Sequence, residues 1–172
     1  MGMQDLDSLN ALPAQDAETV FLQCCGSKRW AREMAAGRPY QSLETLIAKA
    51  NDVWWSLASE DWLEAFRSHP KIGEKKAAAP VSDQSSQWSG QEQAGMGNAS
   101  RATVDSLAEF NQAYEQKFGF IFIICATGKS SEEMLSALRK RLDNDSAAEL
   151  PIAAAEQSKI TELRLKKLVS CQ

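Results

Sequence analysis

The segment from Ser42 to Leu57 constrains the fold more than any other part of this sequence. Its apolar residues recur at intervals of three and four, the spacing that places side chains on one face of an α-helix. They are Leu43, Leu46, Ile47, Ala50, Val53, Trp54 and Leu57. Ser42 is suited to cap this helix, because its hydroxyl can accept a hydrogen bond from an unpaired backbone N–H. Such a stripe is typical of core packing rather than of a cofactor site, and the segment therefore predicts a core helix.

Similar patterns, ended by glycine or proline, predict helices along most of the chain. We expect them at residues 5–12, 14–25, 28–36, 59–69, 87–96 and 101–117, and after two capping boxes at residues 130–133 and 146–149. No internal repeat or interdomain linker is evident. The sequence therefore predicts an all-α protein, with a single compact multi-helix domain over residues 1–172.

Two segments are open to more than one interpretation. Residues 119–126 are continuously apolar, and periodicity does not distinguish a buried extended segment from a buried helix. Residues 74–90 are rich in Lys and Ala and then in Ser, Gln and Asp, which indicates an exposed connection. That connection is either a mobile flap or a plain surface loop.

Composition argues against several classes of function. The net charge of −4 and the pI near 5.1 argue against nucleic acid or an anionic membrane as the main partner. The four cysteines have neither zinc-site nor disulfide-framework spacing, and we expect reduced thiols in a cytosolic chain. No apolar run has membrane-spanning length, and the acidic N-terminus does not resemble a signal peptide. One histidine with scattered carboxylates makes no metal-ligand cluster, so we expect no metal.

His69 is the only histidine, and an imidazole is the side chain best suited to proton transfer near neutral pH. A lone histidine is more often a structural or surface residue. Here Pro70 disfavours helical backbone at His69, and Gly73 allows a turn just beyond. The imidazole therefore lies on a stiff corner at the end of a helix, which favours a functional role.

Ser89, Glu92 and Gln93 share one face if their segment is helical. A carboxylate beside a hydroxyl and an amide suits a ligand rich in N–H and C=O groups. The alternative is a solvated helix face, although the neighbouring Ala94 and Met96 count against it.

Two further features could contribute to a site. Arg164 lies in line with Ile160 and Leu168, so its guanidinium could bind a carboxylate or could extend along its neighbours to water. The apolar segment 122–126 is expected in the core, but an extended backbone there would offer N–H and C=O groups to a ligand. Arg139 and Arg141 are expected to be mainly solvated, with Arg141 the better candidate for an inward position.

Four ordered motifs resemble a known family. They are Ser68-His69-Pro70-x-Ile72-Gly73, Ser89-x-x-Glu92-Gln93-Ala94-Gly95, Phe118-Gly119-Phe120-x-Phe122-Ile123-Ile124-Cys125-Ala126 and Lys159-Ile160-x-x-x-Arg164-Leu165. With Leu9-Asn10 and Arg38-Pro39-Tyr40 upstream, they resemble the 2-oxo-4-hydroxy-4-carboxy-5-ureidoimidazoline (OHCU) decarboxylases over nearly the whole chain.

The resemblance implies a helical, usually dimeric enzyme that needs no metal or organic cofactor and converts OHCU into (S)-allantoin and carbon dioxide. His69 would be the catalytic histidine and Glu92 its acidic companion. Substrate contacts would come from Pro70, Ser89, Gln93, the backbone at Phe122, Ile124 and Ala126, and Arg164. The chain ends Ser170-Cys171-Gln172 rather than in the peroxisomal tripeptide of some relatives, so we expect a cytoplasmic protein. Some bacterial relatives carry a transthyretin-like hydrolase extension, and we expect none here.

The chemistry is consistent with these residues, because the ring C=N of OHCU can accept the electron pair that carbon dioxide leaves behind. His69 would take or share the proton of the ring hydroxyl, and Glu92 would hold the ring N–H groups or orient His69. Two alternatives remain at this point. One is a noncatalytic purine-metabolite binder or scaffold partner of urate-pathway enzymes, and the other is a hydrolase acting on a related ureido ring.

Overall fold

The computed structural model describes residues 5–74 and 76–170, and within these ranges it contains nine α-helices, one 3-10 helix and no β-strand. They are α1 (Leu6–Ala11), α2 (Ala14–Cys24), α3 (Lys28–Ala36), α4 (Leu43–Ser56), α5 (Ser59–Arg67), α6 (Asp83–Glu92), the 3-10 helix Ala94–Asn98, α7 (Arg101–Phe118), α8 (Ser131–Leu142) and α9 (Ser146–Val169). The predicted all-α class is confirmed. No helix in these ranges is both long enough and apolar enough to cross a bilayer. Residues 1–4, Lys75, Cys171 and Gln172 lie outside the described residues.

Helix caps follow the sequence signals in two places. Ser42 accepts the Thr45 N–H at 3.1 Å, and the Thr45 hydroxyl accepts the Ser42 N–H at 3.1 Å, which makes a reciprocal cap at α4. Ser130 accepts the Glu133 N–H at 3.1 Å at the start of α8. Both helices therefore begin where local hydrogen bonding predicts.

The predicted second capping box, at residues 146–149, is wrong. Helix α9 begins at Ser146, and the Asp145 carboxylate accepts the Ala148 N–H at 2.7 Å. Glu149 is fully buried and its carboxylate accepts hydrogen bonds from Arg141, so it is not available to cap the helix. Glu149, which the local pattern assigned to the cap, instead forms an ion pair with Arg141.

The predicted exposed connection at residues 74–90 is wrong in its second half, because α6 begins at Asp83. Ser82 caps this helix by accepting the Ser85 N–H at 3.1 Å. The predicted helix at residues 87–96 is also divided, since α6 ends at Glu92 and a separate 3-10 helix begins at Ala94. The first turn of α6 was missed because Ser85, Ser89 and Glu92 are among the residues that this helix buries, so it has no apolar stripe.

The chain forms two compact units, one running to Ala65 and resuming at Ser158, the other spanning Phe66–Gln157. In the first unit α2, α3 and α4 pack together around large side chains that are almost fully buried, among them Phe21, Trp30 and Leu46. The Trp30 indole N–H donates to the carbonyl of Ala50 at 3.1 Å and so ties α3 to α4. The assignment of residues 1–172 to one domain stays a prediction.

In the first unit, side-chain to backbone hydrogen bonds join the Leu9-Asn10 motif to the Arg38-Pro39-Tyr40 motif. The Asn10 side chain donates to the Tyr40 carbonyl at 2.7 Å and accepts the Tyr40 N–H at 2.8 Å. Arg38 donates to the carbonyls of Leu9 at 2.9 Å and Leu12 at 2.7 Å. These residues therefore join α1 to the turn after α3, which is a structural role.

The second unit has its own apolar core, which includes Leu107, Tyr114, Phe122, Met134 and Leu138. Helix α7 ends at Phe118 and is capped by Gly119, which takes a left-handed conformation with φ 81° that favours glycine. Residues 119–126 then run to the turn before α8 with no helix or strand. The buried-helix interpretation of this segment is thereby excluded.

Candidate active site

The histidine corner has the form that the sequence predicts. Helix α5 ends at Arg67, and the His69 N–H donates to the Phe66 carbonyl at 3.1 Å. His69 and Pro70 are both buried. A turn follows, in which the Glu74 N–H donates to the Lys71 carbonyl at 2.9 Å and Gly73 has φ 91°. Because its backbone is fixed on both sides, the His69 ring occupies a defined position in the second unit.

The His69 ring is held by Gln157, a residue that the sequence analysis did not select. Nε2 of His69 lies 2.6 Å from Oε1 of Gln157, and the Gln157 side chain is fully buried in α9. The signal was present in the sequence: Gln157 stands three and four positions from buried Ala153, Ala154, Ile160 and Thr161. A polar residue within an apolar helix stripe was the criterion that selected Arg164, and it applies equally to Gln157.

Helix α6 carries the predicted polar cluster, and its hydroxyl and carboxylate are buried. Ser89 is 6% exposed and Glu92 is 8% exposed, so the solvated-face interpretation is wrong for these two residues. The Gln93 side-chain carbonyl accepts the Gly73 N–H at 3.0 Å. This bond joins the end of α6 to the turn that follows His69, so the first two sequence motifs meet in space.

Backbone groups of Ile123, Cys125 and Ala126 in the 122–126 segment form hydrogen bonds, the Ala126 carbonyl accepting the Lys129 N–H at 3.0 Å. The Ile123 carbonyl accepts a hydrogen bond from Arg141 at 2.5 Å. The Cys125 N–H donates to Glu156 at 3.1 Å, and its carbonyl accepts from Lys129 at 2.9 Å. Within the described residues, neither the N–H nor the carbonyl of buried Ile124 has a hydrogen-bond partner. Since buried backbone groups are normally paired, Ile124 offers a donor and an acceptor to a ligand.

Glu92 lies within electrostatic reach of this segment. Burial raises the pKa of the Cys125 thiol, and the carboxylates of Glu156 and Glu92 raise it further, while Lys129 opposes them. The 3-10 helix that follows Glu92 also passes close to the turn after the segment, because a Cβ on Gly95 would lie 2.0 Å from the Lys129 carbonyl oxygen. The α6 motif and the apolar motif are therefore neighbours.

Arg141 takes the inward position that was considered for it, at 9% exposure. Its guanidinium donates to the Glu149 carboxylate at 2.5 and 2.6 Å and stacks 4.5 Å from the centre of the Phe122 ring. Together with its bond to the Ile123 carbonyl, these contacts hold the 122–126 segment in place. Arg139 instead lies over the Phe110 ring.

Arg164 belongs to the first unit. It is 3% exposed and its guanidinium donates to the Gln23 carbonyl at 3.1 Å, so the interpretation that it extends to water is wrong. Its predicted contact with a substrate carboxylate stays a prediction.

Two other features of the described residues bear on the site. In the described part of the chain no group of three or more His, Cys, Asp or Glu side chains could hold a metal ion. An open cavity of about 280 Å³ is lined by residues 76–81 and Ser86, none of which is a predicted site residue. His69 can transfer a proton, and α6 and Ile124 can offer polar contacts to a ligand.

Comparison with known proteins identifies relatives along almost the whole chain. A family model described as OHCU decarboxylase matches residues 10–166. The uric acid degradation bifunctional protein TTL of Arabidopsis thaliana is 43% identical over 89% of this chain, and the chain spans 47% of that protein. An OHCU decarboxylase of Haloferax volcanii is 24% identical over 97% of both chains.

Solved structures agree with these relatives. A crystal structure of OHCU decarboxylase in the presence of (S)-allantoin matches with a TM-score of 0.77 at 40% identity, covering 89% of this chain and 99% of that one. A second structure, of an (S)-allantoin synthase, has a TM-score of 0.70 at 17% identity, covers 96% of this chain and 54% of that one, and supports the fold alone. The match of one family model to residues 10–166, together with a 40% identical structure of the same fold, places this chain in the OHCU decarboxylase family.

Proposed function

We propose that this chain converts OHCU into (S)-allantoin and carbon dioxide, with His69 and Glu92 as its catalytic residues. The observation that carries the proposal is the hydrogen bond from the Gly73 N–H to Gln93, which brings the histidine corner to the helix of Ser89 and Glu92. Family membership supports the reaction, and the 40% identical relative was crystallised in the presence of (S)-allantoin.

The reaction breaks the bond between the ring carbon and its carboxylate carbon. The released electron pair forms a C=C bond to the neighbouring ring carbon, and the former C=N pair moves to nitrogen, which takes a proton. The hydroxyl proton, which is transferred or shared as the C–C bond breaks, is lost, and a proton added at the ureido-bearing carbon gives allantoin. Because the ring itself accepts the electrons, neither a pyridoxal nor a thiamine cofactor is required.

His69 acts on the ring hydroxyl in this proposal, taking or sharing its proton as the C–C bond breaks. A general base of this kind accelerates a reaction by roughly 10²–10⁴-fold. The remaining acceleration comes from orientation and from fixed polar groups around the ring. Buried Glu92 holds the ring N–H groups or orients His69, which selects the reactive conformer.

The substrate is bound by the other predicted residues. Pro70, Ser89 and Gln93 contact the ring and its ureido group. The backbone segment with Phe122, Ile124 and Ala126 supplies hydrogen bonds. Support for this comes from buried Ile124, whose N–H and carbonyl have no partner within the described ranges. Arg164 anchors a carboxylate or carbonyl of the substrate.

The proposal also includes a homodimeric assembly, which the family resemblance implies, and a cytoplasmic location. Sedimentation of the purified chain at micromolar concentration would test the dimer. A single species with the mass of the monomer would show that the proposed dimer is wrong.

The function is tested with freshly prepared OHCU, by following carbon dioxide release and the circular dichroism of chiral allantoin together. The wild type should accelerate both signals at equal rates. His69→Asn should lower kcat by roughly 10²–10⁴-fold, because the proton acceptor is lost. A variant that forms (S)-allantoin at a near-normal rate would exclude His69 from the mechanism.

Glu92→Gln separates binding from catalysis. We expect a folded protein with a lower kcat, because the amide keeps the shape and removes the charge. A change confined to KM would assign Glu92 to binding alone. A wild-type chain that binds allantoin but does not accelerate the loss of OHCU would be a binder, and the proposed enzyme function would be wrong.

A further inference from the structure

We propose that Gln157 is a positioning residue for this reaction: its side-chain carbonyl accepts the Nε2–H of His69 and so presents Nδ1 as the proton-accepting nitrogen. The inference rests on the proposed function, and it adds a residue that neither the sequence motifs nor the family resemblance had selected.

The contact is direct and shielded from water. Oε1 of Gln157 lies 2.6 Å from Nε2 of His69, at the short end of the range for such bonds. Gln157 is fully buried and His69 is 8% exposed. A hydrogen bond between buried groups constrains geometry strongly, because breaking it leaves polar atoms without solvent to replace the partner.

The chemistry of the amide determines which nitrogen is basic. A side-chain carbonyl oxygen has no proton and only accepts hydrogen bonds, so the imidazole nitrogen facing it must carry a proton. A neutral imidazole has one N–H and one basic nitrogen. With the proton on Nε2, the lone pair that can accept the substrate proton is on Nδ1.

Gln157 can fix the ring because its own helix is anchored beside it. The preceding residue, Glu156, accepts the Cys125 N–H at 3.1 Å. Two consecutive residues of α9 therefore hold His69 and the 122–126 segment, both of which the proposed function assigns to the site. This arrangement sets the distance between the proton acceptor and the backbone groups of Ile124.

Because His69 is the only histidine, it can be observed without assignment mutants. The full chain labelled with [¹⁵N]histidine gives one pair of ring-nitrogen signals in a long-range ¹H–¹⁵N correlation spectrum. At a pH where the ring is neutral, we expect the protonated shift at Nε2 and the unprotonated shift at Nδ1. A wild-type spectrum with the proton on Nδ1 alone would overturn the inference, because Gln157 would then present its amide NH₂ to the ring.

Kinetics of three variants test whether the contact matters for catalysis. Gln157→Met keeps the side-chain volume and removes the acceptor. The kcat should therefore fall roughly 10–100-fold, the size of loss found when a hydrogen-bond partner that orients a functional histidine is removed. KM should change by less than roughly threefold, since in this proposal Gln157 acts through His69 and not on the substrate. Gln157→Glu keeps the reach and the acceptor. It should keep the proton on Nε2 and recover most of kcat at a pH where NMR shows that its ring is neutral.

Ser158→Ala is the matched control. Ser158 is the next residue of α9, and its hydroxyl donates to Asn51 at 2.6 Å rather than to the histidine. We expect kcat to be unchanged in this variant. Unchanged kcat in Gln157→Met, or an equal loss in Ser158→Ala, would overturn the inference.

The outcomes separate this inference from the proposed function. A wild type without OHCU turnover refutes the proposed function. An active wild type in which Nε2 lacks its proton, or in which Gln157→Met keeps full kcat, refutes the role of Gln157 alone. If Gln157→Met does not fold, the wild-type spectrum and the Gln157→Glu spectrum and kcat still decide the question.

Discussion

Single buried polar residues determine the arrangement around the 122–126 segment. Glu149 is fully buried, and its carboxylate accepts hydrogen bonds from the Arg141 guanidinium and the Tyr114 hydroxyl. Burial raises the pKa of Tyr114, and the bond to Glu149 raises it further, so the phenol stays protonated as the donor. The polar groups of Tyr114, Arg141 and Glu149 therefore form one hydrogen-bonded network.

Removal of Arg141 should therefore be costly. In Arg141→Met the Glu149 carboxylate stays buried without its cation, and such changes typically cost about 3–5 kcal/mol. The Ile123 carbonyl loses its donor as well. Urea unfolding followed by circular dichroism would measure the loss in the free energy of unfolding.

The exposed pair between Glu162 and Lys166, 2.9 Å apart, provides the control for this measurement. Both side chains are more than a third exposed, so Lys166→Met should cost no more than about 0.5 kcal/mol. Equal losses in Arg141→Met and Lys166→Met would contradict the buried-network account.

For single residues, the sequence was better at selecting buried polar side chains than at identifying the residues they contact. His69, Ser89 and Glu92 were selected by local spacing, and all three are buried. Glu149 was assigned to a helix cap because the capping pattern is local, whereas its Arg141 partner is positioned by the packing of two helices. Gln157 was missed although it stands in an apolar stripe, because a neutral amide costs less to bury than a charge and is a weaker signal of function.

Among the elements, α6 shows why the fold could be predicted only in part. Helices such as α3 and α4 carry apolar faces and clear caps, and their predicted bounds agree with the structure within one residue. Helix α6 buries Ser85, Trp88, Ser89 and Glu92, a set that is mostly polar. A helix with a mostly polar inner face lacks the apolar periodicity used to find helices, so the element that carries residues of the proposed site is the one that was partly missed.

Gly95 should be essential to the 3-10 helix that follows α6. A Cβ at this position would lie 2.0 Å from the Lys129 carbonyl oxygen and 3.3 Å from the Ser130 Cα, and backbone atoms cannot move aside cheaply. Gly95→Ala should therefore separate the 3-10 helix from the turn before α8. We expect a loss of about 1–3 kcal/mol in the free energy of unfolding, typical of overpacking, measured by urea titration.

Gly97 lies two residues further along the same 3-10 helix, and a Cβ there would meet no heavy atom within 4 Å. Gly97→Ala is thus the matched control, and we expect it to leave stability unchanged or slightly improved. A similar loss in both variants would show that the 3-10 helix itself, rather than the close approach to Lys129, requires glycine.

At the scale of the whole molecule, buried acidic groups that must stay protonated limit stability at high pH. Burial raises the pKa of the Cys25 thiol from 9.0 to about 12. Burial likewise raises the pKa of the Tyr40 phenol from 10.0 to about 12. Both groups ionise in the unfolded chain at their ordinary pKa values, well before they ionise in the folded chain.

The sign of the pH dependence follows from proton binding. Between pH 9 and 12 the unfolded chain has lost the Cys25 proton while the folded chain keeps it, so raising the pH favours unfolding. Each such proton lowers the free energy of unfolding by about 1.4 kcal/mol per pH unit. Below pH 9 neither group contributes a slope, because both are protonated in both states.

Two variants separate the contributions by the pH at which each begins. Cys25→Ser removes the thiol, so its slope should be shallower than that of the wild type from pH 9 upward. Tyr40→Phe should match the wild type until pH 10 and become shallower only above it. Urea unfolding at half-unit steps of pH would give the free energies of unfolding and their slopes. Identical slopes for wild type and Cys25→Ser between pH 9 and 10 would mean that the folded chain already releases the Cys25 proton there, and burial would not be protecting the thiol.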